Sequence, residues 1–183
     1  LDIQTICPLH GPIWRSDLGY LLGKYDLWSR YEPEDKAVAI FYASMYGNTE
    51  NAANLLASGL AQAGVKNIAV YDVSSTHVST LIAEVFRCSH IVLACPTYNN
   101  GIYPAMYNFL HDMKALQVQN RTVGLIENGT WNPASGKLIR LRLEEMKSMT
   151  LLEPVVTLKS SLKEDSKAQL DALKDAIVES LKD

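Results

Sequence analysis

The turn SMYGNT, residues 44–49, follows the apolar run AVAIFYA (37–43) and precedes a stretch whose apolar residues have helical spacing. The first N–H groups of a helix have no intrahelical partner and lie at the positive end of the helix dipole. A turn that opens a helix can therefore bind an anion. Ser44, Asn48 and Thr49 add short polar side chains that can hydrogen-bond to such a ligand. The pattern predicts a phosphate site.

The kind of phosphate follows from what this turn contains and what it lacks. Gly47 permits a positive φ or the close approach of a ligand to the backbone. The turn has neither the GK[ST] ending of a P-loop nor the GxGxxG of a dinucleotide fingerprint, and it contains no Lys or Arg. A phosphate monoester held by amides and hydroxyls is the expected ligand. A plain helix cap without a ligand is the alternative, because Ser, Asn and Thr are common at such positions.

Two further loops carry similar side chains, PTYNNG (96–101) and ENGTW (127–131), and each adjoins an apolar run. In the first of them, Tyr98 beside two asparagines suits a flat heterocycle with polar edges. Trp131 is placed to close over the other edge of the same ring. Taken alone, Asn-Asn-Gly is a turn signal, so the ligand interpretation depends on the neighbouring phosphate site.

Strand and helix signals alternate from Lys36 to the end of the sequence. Continuous apolar runs, typical of strands buried on both faces, span 37–43, 68–73, 90–95, 122–127 and 154–158. Helical patterns span 49–63, about 78–87, about 103–116, 135–147 and 165–182, and Gly64 is the expected C′ residue of the first. This order predicts an α/β fold: a doubly wound, five-stranded parallel sheet in a three-layer α/β/α arrangement. Ligands of such sheets bind beyond the carboxyl ends of the strands, where the three loops lie.

Composition excludes several classes of function. The chain has 183 residues, a net charge of −3 and no Lys/Arg-dense segment, so nucleic acid is not an expected partner. No apolar stretch is long enough to span a bilayer, and the first residues lack the pattern of a signal peptide. The three cysteines have no CxxC spacing, which suits a reducing compartment. These features predict a soluble, cytoplasmic protein without a membrane partner.

The first 35 residues differ from the rest. LGYLLGKYDLWSR has apolar residues at helical spacing, and the YEPED that follows has the polar, Pro-broken composition of a linker. A domain boundary near Glu34 is expected, with residues 1–35 and 36–183 as the two parts.

The loops of the second part resemble those of a known family. SMYGNTE and CPTYNNGIYPAM are similar to the first and second FMN-binding loops of the flavodoxin-like domain of flavodiiron proteins, the A-type flavoproteins. The resemblance covers residues 36–183 and implies a flavodoxin-like fold with FMN as the cofactor. ENGTWNPASGK is a looser match to the third loop of that family. The candidate cofactor-binding residues are Ser44, Met45, Tyr46, Gly47, Asn48, Thr49, Pro96, Thr97, Tyr98, Asn99, Asn100, Gly101, Asn128, Gly129, Thr130 and Trp131.

The N-terminal CPLHGPIWR resembles the end of the metallo-β-lactamase-like module of the same proteins, where the His of HGP is an iron ligand. Residues 1–35 would then be a remnant of that module plus a linker, and His10 would be a metal ligand only in the full-length protein. The remaining ligands of the family lie upstream, so this chain alone is not expected to hold a diiron centre. No catalytic residue is assigned, since the only acid or base candidates in the loops are Tyr98 and Glu127 and electron transfer needs neither.

The resemblance also implies a function. The FMN domain would take electrons from a rubredoxin-like or NADH-dependent donor and pass them to the diiron domain of the parent protein, which reduces dioxygen or nitric oxide. A homodimer is a further possibility. A free-standing flavodoxin-type NAD(P)H:quinone reductase is the alternative. A phosphoryl-binding, receiver-like domain is a weaker one, because Tyr42, Ala43 and Ser44 stand where it would need an acidic cluster.

Overall fold

The computed structural model describes residues 1–182 and contains one sheet flanked by helices. The helices are α1 (Leu18–Ser29), α2 (Asn48–Gln62), α3 (Val78–Arg87), α4 (Pro104–Ala115), α5 (Ser135–Glu144) and α6 (Glu164–Ser180). The strands are β1 (Asp35–Tyr42), β2 (Ile68–Asp72), β3 (Cys88–Tyr98), β4 (Gly101–Ile102), β5 (Arg121–Asn128), β6 (Met149–Leu151) and β7 (Val156–Leu158). Within residues 1–182, no helix combines the length and apolarity needed to cross a membrane.

The sheet has the strand order β2-β1-β3-β5, and β6 and β7 together occupy the position beyond β5. These strands run parallel, and β3 and β4 form a short antiparallel hairpin. From β1 the chain passes to β2 on one side and then crosses to β3 on the other side. In doubly wound sheets the ligand crevice lies at such a reversal of strand order. The predicted doubly wound α/β fold is confirmed.

The last strand differs from its prediction because it is divided. The predicted run 154–158 contains only β7, and β6 lies before it. β6 pairs with the beginning of β5, and β7 pairs with its end. Pro154 lies between the two and has no N–H to donate to the ladder, so regular pairing is interrupted there.

Apolar side chains fill both sides of the sheet. One cluster lies under α3, α4 and α5, where the rings of Phe41 and Phe109 are 4.9 Å apart between centroids. The other lies under α2 and α6 and includes Leu56 and Leu173. Each such fully buried side chain contributes about 1.5–3 kcal/mol to folding. These layers hold the carboxyl ends of β1, β3 and β5 in a fixed arrangement.

Gly64 ends α2 as the sequence predicts. Its φ is +93°, its N–H donates to the Ala61 carbonyl at 3.0 Å, and the Val65 N–H donates to the Leu60 carbonyl at 3.0 Å. This pair of bonds is a Schellman motif, which needs a residue in the left-handed conformation.

The segment before β1 is held at the amino ends of the strands, away from the three loops. In α1, Leu18–Ser29, no residue is buried. The anchor is Arg121, which is 2% exposed and donates to five backbone carbonyls, those of Tyr31, Val85, Phe86, Gln119 and Asn120, at 2.7–3.0 Å. Burial lowers the pKa of Arg121 to about 10, so the guanidinium is still charged at neutral pH.

Candidate functional site

The three predicted loops meet at the carboxyl edge of the sheet and enclose a pocket of about 240 Å³. This pocket, called here the cradle, is lined by Ser44, Met45, Tyr46, Asn48, Thr49, Pro96, Thr97, Asn128, Gly129, Thr130, Trp131 and Ser160. Eleven of the sixteen candidate residues are therefore brought together in one place. No Lys or Arg is among the residues that line the cradle.

The first loop forms the floor of the cradle at the beginning of α2. Gly47 is the N-cap residue, with φ +81°, and as a glycine it has no side chain that could cap the first turn. The Gly47 N–H is taken by the Ser44 hydroxyl at 3.0 Å. The N–H groups of the first turn, which begins at Asn48, are thus available to an anion at the positive end of the helix.

Thr49 lies in that first turn and is 2% exposed. Its hydroxyl oxygen accepts a hydrogen bond from the Asn128 side-chain amide at 3.2 Å. The same amide group donates to the Ser160 carbonyl at 3.0 Å, and the Asn128 Oδ1 accepts from the Ser160 N–H at 3.0 Å. One side chain thus joins the first turn of α2, the end of β5 and the segment that follows β7.

Thr97 plays a comparable part on the opposite wall. Its hydroxyl oxygen accepts from the N–H groups of Ala134 at 2.9 Å and Ser135 at 3.1 Å. The oxygen atoms of Ser44, Thr49 and Thr97 therefore all accept bonds from the protein, and the hydrogen that each can still donate is free for a ligand. The cradle is built to meet hydrogen-bond acceptors, such as phosphate oxygens and the carbonyl groups of a heterocycle.

The carboxylate of Glu127 has a structural role, because both of its oxygens accept hydrogen bonds from the protein. Its carboxylate accepts from the Gly136 N–H at 3.0 Å and from the Thr157 hydroxyl at 2.9 Å. The first of these bonds lies in the opening turn of α5, where a carboxylate is stabilised by the helix dipole. Glu127 therefore fixes the beginning of α5, and with it the end of the third loop.

The second loop forms a β-hairpin with a two-residue turn. Asn99 and Asn100 have φ values of +51° and +57°, and Tyr98 pairs with Gly101 across the turn. Positive φ at both central positions is the type I′ arrangement, in which Asn is favoured. The asparagines, together with Asn132 of the third loop, line a second pocket of about 260 Å³ that shares Thr97, Gly129, Thr130 and Trp131 with the cradle.

Three candidate residues, Gly47, Tyr98 and Gly101, line neither of these two pockets. Tyr98 is about half exposed and its ring lies 5.9 Å from that of Tyr103, edge to face. Both rings line a separate groove beside Ser74. Tyr98 therefore lies on the side of the second loop that faces Ser74. Trp131 is 96% exposed and forms the rim of the cradle.

Sequence reasoning missed Ser160 and Asn132. Ser160 follows β7 and has a φ of +74°. All parallel strands end at the same edge of the sheet, so KSS after the fifth predicted strand was the signal that could have found it. Asn132 belongs to the same exposed loop as Trp131 and carried no separate signal.

Other reactive side chains lie outside the cradle. Cys88 and Cys95 are fully buried, and burial raises the pKa of each thiol to about 12, so both are inert apolar residues. His10 is exposed. Among residues 1–182, no three His, Cys, Asp or Glu side chains come together as a metal site.

A comparison with known proteins gives the family. The flavodoxin family model matches residues 40–175. The chain belongs to the flavodoxin family. Domains of this family bind FMN, which carries a phosphate monoester, the ligand class predicted from residues 44–49.

Several proteins similar to this flavodoxin-family chain are longer. It is 32% identical to a nitric oxide reductase of Moorella thermoacetica over 155 residues, which are 84% of this chain and 38% of that protein. Its fold matches a rubredoxin oxygen:oxidoreductase of Desulfovibrio gigas with a TM-score of 0.88 and 28% identity, over 98% of this chain and 44% of that one. A flavodiiron protein of Giardia intestinalis shares the fold at a TM-score of 0.87 and 23% identity, over 98% and 45%. The chain spans about a third of the length of the curated relatives it matches.

Proposed function

We propose that this chain is the FMN-binding electron-transfer domain of a flavodiiron-type oxidoreductase. It would take electrons from a rubredoxin-like or NADH-dependent donor and pass them toward a diiron site in another domain of the same protein. That site would reduce dioxygen or nitric oxide. The names of the relatives, a nitric oxide reductase and a rubredoxin oxygen:oxidoreductase, support this assignment.

One observation carries the proposal: a helix N-terminus without a side-chain cap faces a pocket lined by hydroxyl groups whose oxygens already accept hydrogen bonds. A ligand with a phosphate at one end and acceptor atoms at the other satisfies both features. FMN is such a ligand, since its ring carries carbonyl and nitrogen acceptors on one edge. The residues of the cradle therefore fit the cofactor of the family.

The roles of the residues follow from their positions. When bound, FMN supplies the redox chemistry by accepting and releasing electrons, and the protein binds it, orients it and sets the electrostatic environment. The N–H groups that open α2, with the hydroxyl of Thr49, would bind the phosphate. Thr97 and the asparagines of the hairpin would hold the ring, and Trp131, at the rim of the cradle, would shield it from water. No group has to move a proton for electrons to pass.

The N-terminal part is proposed as a remnant of a metallo-β-lactamase-like domain, residues 1–35, preceding an FMN domain of residues 36–183. Its exposed apolar side chains support this, since Leu9 is 97% and Tyr25 is 67% exposed, which is typical of a surface that another domain covers. His10 would be an iron ligand in that context. A single imidazole does not fit a metal pair.

The remaining parts of the proposal concern location and assembly. Free thiols at Cys7, Cys88 and Cys95 support a reducing, cytoplasmic compartment. The exposed apolar surface of the N-terminal part is also compatible with a homodimer. A donor protein would bind near the rim of the cradle.

The test is a comparison of FMN with riboflavin, which lacks the phosphate. The purified chain should bind FMN in a one-to-one ratio and riboflavin much more weakly, as measured by quenching of flavin fluorescence. Thr49→Ala should weaken FMN binding by about 1.5–3 kcal/mol, because a hydroxyl contact to an anion is lost. Thr80→Ala, on the exposed face of α3, is the matched control and should bind FMN like the wild type.

Two results would contradict the proposal. Equal affinity for riboflavin and FMN would mean that the first loop is a plain helix cap. Steady NADH oxidation by the chain alone in the presence of a quinone would favour the free-standing reductase instead of an electron-transfer domain.

A further inference from the structure

The side chain of Asn128 lines the cradle, yet its hydrogen bonds are directed at the protein. Both hydrogens of its amide are used, one by the Thr49 hydroxyl oxygen at 3.2 Å and one by the Ser160 carbonyl at 3.0 Å. Its orientation is not ambiguous, because the Ser160 N–H at 3.0 Å requires an oxygen in the Oδ1 position. Asn128 is 7% exposed, so water does not compete for these bonds. It has no N–H left to give to a ligand.

We infer that Asn128 is a positioning residue which orients the Thr49 hydroxyl toward the FMN phosphate and holds Ser160 in its left-handed conformation beside the same site. The inference rests on the proposed function, since it assigns the phosphate of FMN to this end of the cradle. It changes the role of Asn128 from a candidate contact to the cofactor into a support for the phosphate site.

The orientation of Thr49 follows from hydrogen-bond directions. A hydroxyl has one hydrogen to donate and two lone pairs that accept. When Asn128 donates to the Thr49 oxygen, the hydroxyl hydrogen must be directed elsewhere, and among residues 1–182 the structure contains no acceptor for it. The pocket side is open, because Thr49 lines the cradle. Without Asn128 the hydroxyl could rotate and present a lone pair to the phosphate, which repels it.

The second effect of Asn128 is on the segment after β7. A non-glycine residue with φ of +74° is strained, and Ser160 has that value. The Asn128 amide bonds to both the N–H and the carbonyl of this residue, which compensates for the strain. Ser160 is thereby held with its hydroxyl 3.5 Å from the side-chain nitrogen of Asn48, at the opening of α2. The polar wall of the phosphate site is completed by this contact.

The test measures dissociation constants for FMN and for riboflavin with wild type, Asn128→Ala, Thr49→Val and the double variant. The ratio of the riboflavin constant to the FMN constant isolates the phosphate. We expect each single substitution to lower that ratio roughly tenfold or more, the size of one hydrogen bond to a charged group. The double variant should lower it by less than the product of the two single losses, because Asn128 acts on the phosphate partly through Thr49 and partly through Ser160. Asn54→Ala, exposed on α2, is the matched control.

Asn128→Asp keeps the size of the side chain and guards against a failure of Asn128→Ala to fold. An ionised carboxylate cannot donate to Thr49 and instead accepts its hydroxyl hydrogen, so the ratio should fall at pH 7. It should recover relative to wild type as the pH is lowered and the new carboxyl becomes protonated. A merely structural role would not produce this pH profile.

The outcomes separate the two ideas. If wild type binds FMN no better than riboflavin, the proposed function fails and this inference fails with it. If wild type discriminates but Asn128→Ala weakens both flavins equally, Asn128 only supports the fold. If the losses in the double variant multiply, Asn128 does not act through the Thr49 hydroxyl. Either of the last two results overturns the inference and leaves the proposed function intact.

Discussion

His90 makes the stability of this domain sensitive to acid. The side chain is 5% exposed and lies at the amino end of β3. Its Nε2 is 2.9 Å from the Ser180 hydroxyl, which itself donates to the Ile177 carbonyl, so Nε2 carries the hydrogen. Its Nδ1 lies 2.8 Å from the hydroxyl of Ser89 and accepts from it. The neutral ring is thus fully hydrogen-bonded.

Burial, and to a lesser extent the charge of Lys36, lowers the pKa of His90 from 6.5 to about 4. Below pH 6.5 the unfolded chain binds a proton that the folded chain does not bind. The free energy of unfolding should therefore fall as the pH is lowered, by about 1.4 kcal/mol per pH unit. The total loss from this residue is about 3 kcal/mol by pH 4, and the loss is absent above pH 7.

Urea denaturation of the FMN-free chain between pH 7.5 and 4 measures this effect. His90→Gln removes the titration and keeps a donor for Ser180, so its stability should decline less steeply below pH 6.5 than that of wild type. His111→Gln, which changes an exposed histidine, is the control and should follow the wild-type curve. If wild type and His90→Gln stay separated by a constant free energy over the whole range, the protonation argument is wrong.

Three further substitutions test other features of the molecule. Arg121→Lys should lower the free energy of unfolding by about 3 kcal/mol or more in urea titrations, because buried carbonyls lose their donor; loss below 1 kcal/mol would contradict the anchor. Gly129→Ala places a Cβ 2.9 Å from the Pro133 Cα and should reduce FMN affinity at least fivefold by displacing the third loop, while Gly23→Ala, where nothing lies within 4 Å, should not. Asn100→Gly should stabilise the hairpin by about 0.5 kcal/mol in the same titrations, since Gly is favoured at the second position of a type I′ turn; a lower midpoint would refute that turn assignment.

The sequence predicted the core strands well because a strand buried on both faces is apolar at every position. Gly64 was also predictable, since few residues other than Gly adopt the conformation that ends a helix in this way. The division of the last strand was not predicted, although Pro154, which has no N–H to donate, is its cause. The presence of a proline does not determine whether the chain returns to the same position in the sheet or leaves it. Here the chain returns, since Met149–Leu151 and Val156–Leu158 both pair with β5.

At the site, the first loop could be predicted because helix geometry alone determines where its N–H groups lie. The side of the sheet on which the Tyr98 side chain lies could not be predicted. The predicted strand ended at Cys95, whereas β3 continues to Tyr98, and alternate residues of a strand face opposite sides. Thr97 consequently faces the cradle and Tyr98 the groove beside Ser74. The bonds of Asn128 were also beyond prediction, because they join positions 49, 128 and 160, which only the folded sheet brings together.

The absence of Lys and Arg among the residues that line the cradle has a kinetic consequence. A phosphate dianion approaching a protein of net charge −3 gains no electrostatic attraction at long range, and its encounter with the site is slowed by repulsion. Added salt screens that repulsion, so ionic strength should accelerate association, the reverse of what it does at a lysine-lined site. Dissociation depends on short hydrogen bonds inside the cradle and should respond little to salt. Capture of the cofactor would thus become tighter, not weaker, as the surrounding solution becomes more concentrated in ions.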